Sequence, residues 1–209
     1  MAKSSASRSE DVKTPLAIAS FAQNLFEARE DKWGNKSYQV TLLFKKGTDL
    51  SALENAAMEA ATAQWGEKAK NLIKEKIIKS PFLDGDGKQG KDGDGNPKPG
   101  FAGHTFIRCK SGADYKPKVF DKRRNPIMDK DGCPSGSQVY AVVNAFTWEN
   151  EEQGKGMTFG VSLVQVVKAA EGDEVLGGGG GPSADKFFET IEDDGDAGSK
   201  PKDAGGLFS

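Results

Sequence analysis

"YQVTLLFKKGTDLSALENAAMEAA", Tyr38 to Ala61, changes its period half-way along. From Tyr38 to Phe44 the residues alternate, with Tyr38, Val40, Leu42 and Phe44 on one side and Gln39 and Thr41 on the other. Successive side chains of a strand point to opposite faces, so this is a strand with one buried side. After Lys45-Lys46-Gly47 the spacing becomes helical: Leu50, Leu53, Ala57, Ala60 and Ala61 form one stripe. Thr48 or Asp49 can cap that helix, and Asp49 and Glu54 suit the positive end of its dipole. Leu72, Ile73 and Ile77 continue the stripe beyond a break at Gly66, and Pro81 is the expected stop. Trp65 reads as a core anchor of the helix.

Upstream, "TPLAIASFAQNLFEA" from Thr14 is strand-like and "DKWGNK" is a turn, so the two apolar segments read as a hairpin about Gly34-Asn35. Downstream, "HTFIRCK" alternates again, with Thr105, Ile107 and Cys109 on one face and His104, Phe106, Arg108 and Lys110 on the other. Two long strands, "SQVYAVVNAFTW" and "MTFGVSLVQVVK", follow across the turn "ENEEQGKG". Tyr140, Val142, Phe146 and Trp148 share a face that reads as core, with Trp148 last and near the rim, where it can also stack. The expected fold is mainly β with one helical insertion, a small Greek-key barrel. Residues 1–13 read as a disordered leader, Ser-rich and charged with no apolar run, and not as a secretory signal. Residues 14–176 read as the folded domain, and 177–209 as a glycine linker, Gly177 to Gly181, leading into a disordered acidic C-terminal tail.

Composition excludes several classes. No run of 18 apolar residues exists in the 209, so no membrane-spanning helix is expected. His104 is the only histidine, and Cys109 and Cys133 stand 24 positions apart without a CxxC, so neither a zinc site nor a His-based triad has its parts. Both cysteines read as packing residues of a reduced, intracellular protein. "LDGDGKQGKDGDGNPKPGF", Leu83 to Phe101, fails the calcium-loop pattern in both registers, with Lys88 or Pro97 at key positions, and reads as a flexible polar loop. No GxxxxGK[ST], GxGxxG or GxSxG occurs, and no paired carboxylates stand in structured segments. The expectation is a protein that is not an enzyme, with no catalytic residues, no metal and no cofactor.

The net charge of −2 conceals a division. From Glu171 onward ten acids meet three bases, a net −7, while the preceding chain has 26 bases and 21 acids, a net +5. Single-strand binding needs cations to follow phosphates and aromatic faces on which bases stack. Both occur together in Phe106, Arg108, Lys110, Tyr115, Lys116, Lys118, Phe120, Lys122, Arg123 and Arg124, which form the candidate DNA-binding set. Trp33, at a turn tip beside Lys32 and Lys36, is either tucked onto the body or free to stack; it and Trp148 complete the set. In the tail, Asp193, Asp194 and Asp196 precede Leu207 and Phe208, two large apolar residues with no folding reason in such a segment. They are the candidate partner-docking residues, and the acids are expected to compete for the DNA groove. The competing reading is a structural or assembly protein whose tail serves solubility or docking.

The segments "YQVTLLFKKGTDLSALENAAMEAA", "SPFLDGDG", "PGFAGHTFIRCKS", "PKVFD", "SGSQVYAVVNAF" and "GKGMTFGVSLVQVVK" resemble, in order and spacing, the single-stranded DNA-binding proteins of tailed bacteriophages. The resemblance covers roughly Thr14 to Ala170 and implies an OB-fold. It also implies coating of single strands in phage replication and recombination, in the cytoplasm of an infected bacterial host. An acidic tail with an aromatic near its end, which docks phage or host replication enzymes in that family, matches Leu207 and Phe208 by position. This chain departs in placing Ser209 after the Phe and lysines within the acidic segment. A homo-oligomer is compatible with the resemblance.

Overall fold

The computed structural model describes residues 6–177. The chain divides into two units, Met1–Gly179 and Gly180–Ser209, and the second lies outside the described residues. Five strands of the first carry its barrel: β1 (Ala17–Ser20), β2 (Lys36–Lys45), β3 (His104–Gly112), β4 (Gln138–Asn150) and β5 (Gly154–Lys168), with short strands added at their edges. They close in the order β1-β2-β3-β5-β4-β1, with β3 and β5 parallel and the other pairs antiparallel. That circuit is a five-stranded Greek-key barrel of OB type, the mainly β architecture expected from the sequence.

Alternation places Val40, Leu42, Phe44, Ile107, Cys109, Val139, Ala141, Val143 and Ala145 inside. β5 adds Met157, Phe159 and Val161, then shifts register opposite Val142/Val143, so that Ser162 and Leu163 are both exposed and Val164 turns inward. A bulge of this kind re-aims the side chains beyond it. The longest helix among the described residues, α1 (Ser51–Trp65), packs on β4, and its Leu53, Ala56, Ala57, Ala60 and Ala61 are all buried. Its alanines let the helix approach the barrel closely, and Trp65 packs at its end. Neither Thr48 nor Asp49 caps the helix as expected: the N-cap position is Leu50, without a side-chain cap bond, and the Asp49 carboxylate accepts the Ser51 N–H at 2.9 Å from one residue before it.

Four further expectations are corrected. The helical stripe does not run to Pro81: Gly66 adopts φ 64° and a short α2 (Ala69–Lys74) follows. Lys76, also left-handed, then redirects the chain so that Ile78–Lys79 pairs with β5. The hairpin about Gly34 joins Arg29–Glu30 to β2, while β1 reaches β2 only beyond a 3-10 turn at Ala22–Leu25. Leu83–Phe101 is not a loose loop. Asp84 and Asp86 hold Lys46 at 2.8 and 2.6 Å, which keeps both carboxyls below their usual range, and Phe101 is buried. Residues 7–13 are not a disordered leader, since Val12–Lys13 pairs with β4 at Val143 and Val142.

At the other end of the described chain, the Leu176 N–H donates to Ser135 O at 2.8 Å, and the side chain packs on Leu43, Phe101 and Phe106. Both cysteines are free and buried, and burial pushes the Cys109 thiol well above its ordinary value and Cys133 up to about 11. No helix among the described residues is long and apolar enough to cross a membrane.

Leu53→Ala should destabilise the domain by about 2–5 kcal/mol in urea titration, because its site beneath the barrel cannot collapse around the smaller side chain. A loss below about 0.5 kcal/mol would contradict the packing. Neither thiol should react with a disulfide reagent at neutral to mildly alkaline pH until denaturant is added, since the reacting species is the thiolate. Stoichiometric labelling of the native chain would show that one of them is accessible.

Candidate nucleic-acid interface

β4 carries small residues inward and large ones outward. Val139, Ala141, Val143, Ala145 and Thr147 are buried, while Tyr140, Val142, Asn144, Phe146 and Trp148 are half-buried on the outer face. This corrects the expectation that Tyr140, Phe146 and Trp148 are core: the alternation of β4 turns its small residues, which meet α1 and the barrel interior, inward and its rings outward. Same-face residues of a strand stand about 7 Å apart, so Tyr140 and Trp148 span roughly 27 Å.

Each ring has a cation contributed by another segment. Lys79 Nζ lies 5.7 Å from the Trp148 ring centre, the Arg8 guanidinium 5.2 Å from Phe146, and Lys13 Nζ 4.2 Å from Tyr140. Trp148 lies over Gly156, its partner on β5; a Cβ at Gly156 would collide with the Trp148 ring.

Three adjoining clefts run along this face. The first, about 890 Å³, is lined by Trp33, Lys79, Arg108, Lys110, Phe146 and Trp148, with the β4–β5 turn (including Glu151 and Glu152) at its rim. The second, about 800 Å³, shares Lys110 and Phe146 with the first and adds Arg8, Tyr115, Lys116, Lys118 and Asn144, with Asp114 as its acid. The third, about 320 Å³, shares Leu163 with the second and is lined by Lys13, Phe120, Arg124 and Tyr140. OB-folds take oligonucleotides on the strand 2–3 face and at the loops joining strands 1–2 and 4–5. The first cleft lies between those two loops.

Trp33 is 60% exposed and not tucked onto the body, with Lys32 Nζ 4.3 Å from its ring centre. Asp31 fixes the tip by accepting the Trp33 and Asn35 N–H groups, each at 2.9 Å, and the Asn35 backbone bond above all holds its carboxyl low. Arg108 is exposed and donates to Gln89 Oε1 at 3.2 Å, and partial desolvation of its guanidinium lowers its pKa. Tyr115 is 75% exposed. None of the cleft cations is in an ion pair among the described residues; those pairs are Lys36–Glu30, Lys46–Asp84 and Asp86, Lys155–Glu149 and Lys168–Glu174. Their charge is therefore not neutralised by carboxylates in direct contact.

Phe106 is a correction. It shares the strand face of Arg108 and Lys110, but its ring is fully buried, with its centre 4.9 Å from that of Phe101 in an edge-on contact, in a cluster with Leu43. The Leu83–Phe101 segment folds over it, so Phe106 offers no stacking surface; it lies under Arg108, whose guanidinium is 5.8 Å from the ring centre. Lys122 and Arg123 are exposed in a turn closed by Asp121 and line none of the three clefts. The structure brings together Trp33, Arg108, Lys110, Tyr115, Lys116, Lys118, Phe120, Arg124 and Trp148. The sequence reading left out Tyr140, Phe146, Lys79, Arg8 and Lys13. Asp193, Asp194, Asp196, Leu207 and Phe208 lie outside the described residues. Among the described residues no group of three or more His, Cys, Asp or Glu side chains is placed to hold a metal ion.

Comparison with known proteins agrees with the barrel. The structure resembles the single-stranded DNA-binding protein of bacteriophage Enc34 solved in complex with single-stranded DNA: TM-score 0.54, 19% identity, 77% of this chain and 88% of that one. A second structure of the Enc34 protein gives a TM-score of 0.53 at 18% identity, over 86% of this chain and 90% of that one. Gp2.5, a single-stranded DNA-binding protein of bacteriophage T7, gives 0.54 at 16% identity, over 91% of this chain and its whole length. At such identities these likenesses establish the fold alone. No curated protein matches the sequence. The model of the family typified by the Enterobacter phage Enc34 single-stranded DNA-binding protein matches residues 11–197, and the chain belongs to that family.

Proposed function

We propose that this chain binds single-stranded DNA without strong sequence preference, coats it during phage replication and recombination, and performs no catalysis. The observation that carries the reading is the row of outward rings on β4, each beside a cation from another segment and each lining one of three adjoining clefts. Every base has a π-face, so a row of rings accepts any sequence, and each stacked base contributes about 1–3 kcal/mol. Cations without carboxylate partners supply the phosphate contacts, which makes affinity fall with salt. Membership of the Enc34 family, and a relative solved with single-stranded DNA, support the same ligand. The site of action is the cytoplasm of the infected bacterial host.

The finer role rests on the tail's composition. An acidic segment holding Asp193, Asp194 and Asp196, with Leu207 and Phe208 beyond it, suits a basic, apolar-pocketed surface on a replication or recombination enzyme. A few buried anchors carry most of such an interface. The folded domain comprises 14–176 together with the strap at 7–13, and the segment from Gly178 onward serves recruitment.

Phe146→Ala and Trp148→Ala should each weaken oligo-dT binding by about 1–3 kcal/mol without lowering the melting temperature. Log K should fall with log salt by about 0.7 for each phosphate contacted. Gly156→Ala should reproduce most of the Trp148→Ala loss by displacing the ring. Binding indifferent to all three substitutions and to salt would overturn the reading. Phe208→Ala should leave oligo-dT affinity unchanged and reduce co-capture of the replication polymerase; loss of DNA binding would instead put Phe208 in the DNA site.

A further inference from the structure

The segment ahead of the barrel is anchored along β4 where that strand has passed beyond β1. β1 pairs with β4 only at Gln138 and Val139. From Ala141 to Thr147 the edge of β4 is taken by residues 7–14. Thr147 N–H donates to Ser7 O at 3.0 Å, Ser9 N–H to Ala145 O at 2.9 Å, and Thr14 N–H to Ala141 O at 2.8 Å. In return the Ala145 N–H donates to Ser9 Oγ at 2.9 Å and the Ala141 N–H to Thr14 Oγ1 at 3.0 Å. Hydroxyls thus stand in for backbone acceptors, and Ser7, Ser9, Val12 and Thr14 face inward while Arg8, Glu10, Asp11 and Lys13 face out.

The outward side chains of this strap meet the groove in a definite order. Arg8 covers Phe146, Asp11 accepts from Asn144 Nδ2 at 3.3 Å, and Lys13 covers Tyr140. Two ring stations are capped by cations, and the polar residue between them carries an acid. A cation 4–5 Å above a ring is held by the ring's quadrupole at small energy and on a flexible stem. A base stacks far more extensively, and it brings a phosphate with it.

From this order we infer that the strap at residues 7–13 is part of the single-strand-binding site. Arg8 and Lys13 yield the faces of Phe146 and Tyr140 to bases and take up the phosphates of the same nucleotides. Asp11, the acid of the strap that touches the groove floor, opposes the strand's charge and keeps the two stations apart. The inference rests on the groove reading above, and it adds a second wall supplied by the strap.

The test is fluorescence-anisotropy titration of oligo-dT over a range of salt with the full-length chain. The variants are Arg8→Gln, Lys13→Gln, Asp11→Asn and Phe146→Ala, with Arg8→Lys as the charge-conserving control. Arg8→Gln and Lys13→Gln should each weaken binding by roughly three- to tenfold at low salt and make the salt slope shallower by about 0.7. Arg8→Lys should keep the wild-type slope. Asp11→Asn should bind more tightly, a change of opposite sign that a strap needed only for folding would not produce. Wild-type affinity and slope for both glutamine variants, with Phe146→Ala still losing affinity, would remove the strap from the site and leave the groove. Wild-type behaviour of Phe146→Ala as well would remove both. A variant that melts early is replaced by its partner cation, since either alone reports a change of slope.

Discussion

The whole interface depends on how β4 divides its side chains by size. Its inner face is small, alanine and valine with Thr147 at one end, and α1 packs on it through a run of buried alanines. Forcing rings into that contact would cost about 1–3 kcal/mol for each overpacked side chain. Tyr140, Phe146 and Trp148 therefore face outward and keep apolar surface half in water, an arrangement with no benefit to the core. Large rings held outward in a row on a folded domain are what the proposed binding of bases requires. Gly156 extends the same logic to β5, where the missing side chain is what lets Trp148 lie against the strand.

Electrostatics follow the same geometry. The ion pairs of the described chain leave every cleft cation out, so Arg108, Lys110, Lys116 and Lys118 face the groove without a carboxylate in contact. Lys46, by contrast, is held by Asp84 and Asp86 and closes a loop. That loop buries Phe101 on Phe106, and Phe106 in turn lies beneath Arg108. The Asp84 and Asp86 carboxylates thus help to hold the loop that supports Arg108. The excess of acid in the last 39 residues balances a body that is basic where it is open.

Much of this was legible in the sequence. The stripe at Leu53, Ala57, Ala60 and Ala61 is buried as its period requires. Val40, Leu42 and Phe44 enter the main core, but Thr41 and Leu43 between them are buried too, Leu43 in a cluster with Phe101 and Phe106, so this strand is covered on both sides and not on one. Alternation separates two faces of a strand without saying which is inside, and on β4 bulk was the wrong guide, because the volume available is set by a helix 80 residues earlier. Phe106 shares a face with Arg108, but no local signal reveals that a distant loop covers it. Residues 7–13 gave no apolar pattern because serine and threonine hydroxyls hold them, so hydrophobic period alone could not find them. Lys76 ends the helical region by a left-handed turn, a conformation that lysine does not advertise.

The central claim is that bases lie on the outer face of β4, and photo-crosslinking tests it most directly. Oligo-dT carrying iodouridine, irradiated in complex with the full-length chain and mapped by mass spectrometry, reports the aromatic side chains within stacking distance of a base. Adducts should fall on Trp148, Phe146 and Tyr140, with Trp33 at the mouth of the same groove. Efficient crosslinking that leaves all three β4 rings unmodified, and marks only residues outside the three clefts, would contradict the account.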